Sequence, residues 1–213
     1  VGYDARDSSP SLADSVTSGL MDEGVEVLNI GLAGTEEMYW ATTEFETCAG
    51  IEITASHNPR EYNGLKVVKF GSQPLKEKSE WALIKSLAEN NAFQYSKKKG
   101  SQKDISREAR KKYVKKVLSF IEASKIRSKN IVVNSGNGAA GPTFDAIEQE
   151  LLGKVRNLRF TKLFHHPDGS FPNGVPNPII PENWTITSKM ILQCNADFGI
   201  AFDGDFDRCF FFD

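Results

Sequence analysis

The stretch Gly50-Ile51-Glu52-Ile53-Thr54-Ala55-Ser56-His57-Asn58-Pro59 carries the reading on which the fold turns. Its first half is an apolar, β-branched run that predicts a buried strand, and its second half has the composition of a turn. A Tyr62-Asn63-Gly64 turn and a second predicted strand, Leu65 to Phe70, follow. Ser56 therefore stands where a strand ends, the place at which α/β proteins present hydroxyls and backbone N–H groups to ligands, and it is a candidate nucleophile or phosphate carrier. Ser, Asn and Pro also make ordinary turns by bonding the local backbone, so both readings of the hexapeptide stay open.

Upstream, Val1 to Arg6 reads as a strand entered part-way along, with a partner expected from elsewhere. Ser9-Pro10 opens a helix to about Glu23 with Leu12, Val16, Gly19 and Leu20 on one face, and Gly24 ends it. Val25 to Ile30 reads as a strand, Gly31 to Thr35 as a turn, and Glu36 to Thr43 as a short helix whose leading glutamates suit its positive N-terminal end. Downstream, Lys76 to Glu89 predicts a helix with Trp81, Ile84, Leu87 and Ala88 inward. Residues 90–102 are polar and Lys-rich, the expected hinge or surface loop, before a long helix from Asp104 to Glu122. The division of the chain is placed here, giving units 1–104 and 105–213.

The second unit opens on strand Asn130 to Val133 and Gly136-x-Gly138-x-x-Gly141 ahead of helix Pro142 to Leu152. That is formally a dinucleotide-binding fingerprint in the right context. The acidic residue expected about 20 positions on does not appear: the next strand, Val155 to Phe164, carries Arg156, Arg159 and Lys162 and runs into His165. The glycines are read instead as permitting tight strand–helix packing. His165 and His166 lead a Pro-rich loop and are read as surface residues. Helix Glu182 to Gln193 and strand Ala196 to Phe202 then deliver Asp203-Gly204-Asp205-Phe206-Asp207-Arg208, and strand Cys209 to Phe212 follows. Three carboxylates this close repel one another unless a cation compensates them, and oxygen ligands at alternate positions suit a hard ion such as Mg²⁺. A solvated acidic turn is the plainer alternative.

These residues together carry a resemblance. Thr54-Ala55-Ser56-His57-Asn58-Pro59, Asn63-Gly64-Leu65-Lys66, Asn134-Ser135-Gly136-Asn137-Gly138, Asp168-Gly169-Ser170-Phe171-Pro172 and Asp203 to Arg208 resemble, in the same order, the α-D-phosphohexomutase superfamily. The resemblance implies an α/β protein, here two successive α/β domains with mixed, mainly parallel sheets sandwiched by helices. It implies most of two domains from a four-domain enzyme, so that further domains of the same polypeptide are expected partners and the 213 residues alone are expected to show little or no turnover. It implies an intramolecular phosphotransferase that exchanges phosphate between the 1- and 6-positions of a hexose through a phosphoserine and a bisphosphate. Mannose phosphate is the favoured substrate, glucose or glucosamine phosphate the alternatives. Ser56 is implied as the phosphorylation site, Asp203, Asp205 and Asp207 with an oxygen of Ser56 as ligands of Mg²⁺, Arg208 as a guanidinium beside the transferring group, and His57 and Lys66 as acid/base or positioning groups. Phe206 departs from the glycine many relatives have there, which stiffens the loop without removing a ligand. Asp4 and Arg6 are expected to support the fold. The two loops are expected to meet, with Ser56 Oγ within direct reach of the same metal.

Other classes fit less well. A calcium loop wants Gly at its sixth position, where Arg208 stands, and a Glu at its twelfth. An aspartyl-nucleophile phosphatase is weakened by Asp205-Phe206-Asp207-Arg208, which lacks the Gly-Thr continuation that resemblance to such enzymes would require. A nucleotide-binding module without catalysis rests on the glycine turn alone. The net charge of −2 gives no global pull toward nucleic acid or an anionic membrane, and the lysines between Lys97 and Lys116 read as a solvated face, since aromatic residues scarcely interleave them. No membrane-spanning run is read, and the cytoplasm is the expected compartment. Cys48, Cys194 and Cys209 lack paired spacing and are expected to be reduced core residues.

Overall fold

The structure is a computed structural model that describes residues 1–93 and 95–213. Two sheets organise it, each with helices packed against it. In the first, the order is β3 (Gly31–Leu32), β1 (Gly2–Tyr3), β4 (Ala49–Ile53), β5 (Leu65–Lys69), β6 (Gln73–Pro74). β1 runs parallel to both neighbours, with Gly2 opposite Gly31 on one side and Glu52 on the other, and the β4–β5–β6 half is antiparallel. The first strand thus has a neighbour on each side within the chain, because the predicted Gly31–Thr35 turn begins with a strand. A short parallel pair, β2 (Val27–Asn29) with β7 (Gln102–Asp104), lies apart.

α1 (Ser9–Asp22) and α2 (Thr35–Glu44) belong to this first unit. The buried line of α1 is Ser9, Ala13 and Thr17, while Leu12 is exposed. Small side chains let that helix lie close, and the predicted face is rotated by one position. α2 lies so close to β4 that a Cβ on Gly50 would stand 1.9 Å from Thr42 Oγ1. Ile30, Ala33, Met38, Ala41 and Val68 form the core between them, each apolar side chain of Val, Ile or Met size stabilising by about 1.5–3 kcal/mol when fully buried.

The predicted Lys76–Glu89 helix is a π-helical turn, Glu77–Trp81, leading into α3 (Ala82–Glu89). None of α3 is buried, and Ile84 and Leu87 are exposed. Periodicity sets which residues share a face, but this face is left without a buried residue. The cysteines are likewise not core residues: Cys48 and Cys209 are exposed and Cys194 is half-buried, all with free thiols. Cys48 lies in the turn before β4, and Cys209 opens an edge strand, positions that apolar neighbours in sequence do not cover.

The second sheet has the order β11 (Cys209–Phe212), β10 (Phe198–Phe202), β8 (Lys129–Asn134), β9 (Leu158–Leu163), parallel except for the antiparallel edge strand β11. α5 (Ala140–Leu152) and α6 (Trp184–Gln193) flank it, and Ile131, Val133, Phe144, Leu151, Val155 and Leu158 fill its core. α4 (Ser106–Leu118) serves both units: Ala109 lies in the first core and Leu118 packs on the second. The mixed, helix-covered sheets of two α/β units agree with the fold class read from the sequence.

Candidate active site

The carboxyl end of β4 and the β10–β11 turn face each other where the two units touch. Ser56 is buried and adopts a left-handed conformation, φ +53°. Its turn is held by the segment that follows the chain's first strand. The Ser56 N–H donates to Thr54 Oγ1 at 2.8 Å, and that hydroxyl donates to Asp4 Oδ2 at 2.8 Å. Arg6, 1% exposed, donates to four carbonyls of the turn: Ser56 and Asn58 from Nη2, Pro59 and Tyr62 from Nη1, at 2.7–3.0 Å. Asp4 accepts from the guanidinium at 3.2 Å, and the Phe171 ring lies 5.4 Å from its carbon. Charge-assisted bonds of this kind are the stronger ones, so a buried ion here fixes a loop that carries little apolar side chain of its own. The support role read for Asp4 and Arg6 is what they perform.

The acidic turn closes on itself and is clamped on both sides. Phe206, at φ +42°, donates its N–H to the Asp203 carbonyl at 3.1 Å, and the Arg208 N–H donates to Asp203 Oδ1 at 3.1 Å. The Ala139 N–H donates to the Gly204 carbonyl at 2.9 Å, and a Cβ on Gly138 would stand 2.7 Å from that oxygen. On the other side a Cβ on Gly204 would stand 2.5 Å from the Ser56 carbonyl. A Cβ on Gly141 would meet the His165 carbonyl at 2.0 Å. The Gly136–Gly141 segment is therefore a packing device, and it packs the acidic turn as well as a helix. His165 bonds Asp145 at 2.8 Å and is only partly exposed, so of the adjacent histidines only His166 is a surface residue.

Across this joint, Ser56 Oγ donates to Asp203 Oδ2 at 2.8 Å and accepts from Arg208 Nη2 at 2.9 Å. His57 Nδ1 lies 3.3 Å from the same oxygen and accepts from Arg208 Nη2. Burial, helped by the Arg208 charge, holds His57 below its ordinary value and so neutral. Lys66 Nζ donates to Asp205 Oδ2 at 2.6 Å and Asp207 Oδ2 at 2.7 Å. Burial alone would lower Lys66, but those two carboxylates outweigh it and its pKa rises. Burial and the neighbouring Asp205 charge push Asp203 up to about 7, whereas Lys66 overcomes burial at Asp205 and lowers it.

One oxygen from each of Asp203, Asp205 and Asp207 lies within 4.8 Å of the others. Asp205 Oδ1 and Asp207 Oδ1 are buried and accept no hydrogen bond among the described residues, though Arg208 Nε lies 3.5 Å from Asp207 Oδ1 as an ion pair. Orphaned carboxylate oxygens converging on a turn fit a hard divalent cation. All the site residues read from the sequence, Ser56, His57, Lys66, Asp203, Asp205, Asp207 and Arg208, come together here. Thr35 was missed. It is fully buried at the head of α2, and its Oγ1 donates to Asp205 Oδ2 at 2.5 Å. A Gly-Thr pair before an acidic helical turn marks a helix start, but its partner is 170 residues away.

Comparison with known proteins agrees along the whole chain. It is 45% identical to a phosphomannomutase of Vibrio cholerae serotype O1 over 213 residues and 43% identical to one of Escherichia coli K12 over 215, covering all of this chain and 46–47% of theirs. The chain thus spans about half the length of the curated relatives it matches. A crystal structure of a phosphoglucomutase/phosphomannomutase family protein from Burkholderia thailandensis superposes with a TM-score of 0.85 at 29% identity, over 99% of this chain and 45% of that one. The family models for phosphoglucomutase/phosphomannomutase α/β/α domains I and II match residues 1–94 and 111–213. With both models matched in succession and the serine and aspartate turns of its sequence facing each other, the chain belongs to the phosphoglucomutase/phosphomannomutase family.

Proposed function

We propose that the protein containing these 213 residues interconverts mannose 6-phosphate and mannose 1-phosphate through a phosphoserine at Ser56 and a hexose 1,6-bisphosphate. The observation that carries this is the single hydroxyl shared by two turns: Ser56 Oγ bonds both Asp203 and Arg208. A serine so placed has an anionic neighbour to orient its O–H and a guanidinium beside the position a phosphoryl group would take. In the first half-reaction the bond between phosphorus and Ser56 Oγ breaks as one forms to a free hydroxyl of the hexose monophosphate, whose proton passes by way of a neighbouring acceptor to the departing Ser56 Oγ. After the bisphosphate turns over, its other phosphate returns to Ser56 and the proton goes back to the oxygen it leaves. Neutral His57, 3.3 Å from Ser56 Oγ, is an acceptor beside the Asp203 carboxylate at 2.8 Å, and Lys66 supplies a fixed positive charge. Asp203, Asp205 and Asp207, with a Ser56 oxygen, would hold Mg²⁺, which when bound neutralises charge on the transferring phosphoryl group.

Mannose phosphate rests on the names of the relatives at 43–45% identity, with glucose phosphate and glucosamine phosphate as alternative substrates. The further length of those relatives is where the remaining grip on the sugar is placed. We assign the division between units to residues 104 and 105, at the head of α4. A cytoplasmic location, with neither nucleic acid nor membrane as partner, completes the reading. Among the described residues no helix is long and apolar enough to cross a membrane.

Incubating the full-length protein with a ³²P-labelled hexose 1,6-bisphosphate should label Ser56. Ser56→Ala should lose the label and nearly all turnover, and turnover of mannose 6-phosphate should exceed that of the glucose and glucosamine phosphates. A fully active Ser56→Ala protein, or label found on an aspartate, would overturn the phosphoserine; a preference for another sugar would move the substrate alone.

A further inference from the structure

We infer that Thr35 is a positioning residue for the candidate metal site, turning one oxygen of Asp205 away so that the other faces the cation. This rests on reading Asp203, Asp205 and Asp207 as metal ligands. Thr35 holds Asp205 twice, with its N–H donating to the Asp205 carbonyl at 3.1 Å and its Oγ1 donating to Oδ2 at 2.5 Å. The direction of the second bond follows from Lys66, whose Nζ donates to Thr35 Oγ1 at 3.0 Å. An ammonium only donates, so the hydroxyl accepts from Lys66 and spends its own proton on Asp205. Oδ2 therefore receives both Thr35 and Lys66, while the buried Oδ1 receives no donor among the described residues. A carboxylate fixed in this way offers one oriented oxygen. Partners that hold ligating groups from behind typically govern metal affinity by 10–100-fold.

The head of α2 that carries Thr35 is itself tied to the unit bearing the aspartates. Gly34 donates its N–H to Glu37 Oε2 at 3.1 Å, and Glu37 Oε1 accepts from Thr143 Oγ1 of α5 at 2.7 Å. Gly34 also lies against the acidic turn, where a Cβ would stand 2.6 Å from the Asp205 carbonyl. The hydroxyl is thus held by main-chain contacts that do not depend on it.

Isothermal titration of the full-length protein with Mg²⁺ tests this. Thr35→Val, which keeps the shape and removes the donor, should bind about ten-fold more weakly, and Thr35→Ser should stay within about three-fold of the parent. Melting in EDTA reports whether each variant is folded, and Thr35→Ala replaces Thr35→Val if that variant is not. Parent-like affinity in the folded variant without the hydroxyl, or equal weakening in Thr35→Ser, would overturn the role of Thr35 while leaving the metal site intact. Asp205→Asn is the control for the reading beneath it: if the parent and Asp205→Asn respond to Mg²⁺ alike, the metal assignment itself fails and Thr35 falls with it.

Discussion

Glu52 lies one residue from the end of β4, fully buried, and neither carboxyl oxygen meets a donor among the described residues. Burial pushes its pKa well above the ordinary range, and the charges of Asp4, Glu37 and Asp205 push the same way. The folded chain keeps this proton at pH values where the unfolded chain has released it. The stabilisation is therefore complete below the ordinary glutamate range and is lost as pH rises through the raised value. Glu52→Gln cannot titrate, so its melting temperature should fall less than that of the parent between about pH 5 and about pH 8. Equal slopes would show that Glu52 is ionised throughout. Residues such as Asp203, Asp205 and Asp207 are legible in the sequence because their charges crowd one another locally and demand an explanation. Thr35 and the four-carbonyl grip of Arg6 are not, because their partners lie about 50 to 170 residues away and threonine and arginine are ordinary at any helix start or strand end.

At the level of elements, the glycine turn between β8 and α5 shows what a motif alone leaves open. Strand, turn and helix are legible from their residues, and the basic second strand already argues against a dinucleotide. That the turn would wedge the acidic loop against Ser56 depends on a contact between distant segments. Gly141→Ala should destabilise the chain by about 2 kcal/mol or more, since main chain rather than a movable side chain stands 2.0 Å from the new methyl group. The midpoint of urea unfolding measures this; an unchanged midpoint would mean that α5 can slide away from β9 at no cost. α3 marks the opposite limit. Its apolar spacing is as regular as that of a core helix, yet Ile84 and Leu87 remain exposed. Regular spacing states what a helix would bury given a partner; it does not supply one.

At the scale of the molecule, α4 belongs to both cores, and Arg110 on it donates to the Leu32 carbonyl of the first unit and to Thr143 of the second. Neither unit can unfold without uncovering the other's side of that helix. Calorimetry of the 213-residue chain should therefore show a single transition with equal calorimetric and van't Hoff enthalpies. Two resolved transitions would mean that the joint is weak. The two α/β layers were legible in the sequence; the joint was not, because it is made of small residues, backbone atoms and buried ions that no periodicity records. Gly204 shows what such a joint implies for inheritance. With the Ser56 carbonyl on one side and Gly138 on the other, it leaves no space in which either half can drift alone. A chimera exchanging one half for that of a distant cousin would import one face of a fitted joint, so the two halves are bound to change together or not at all.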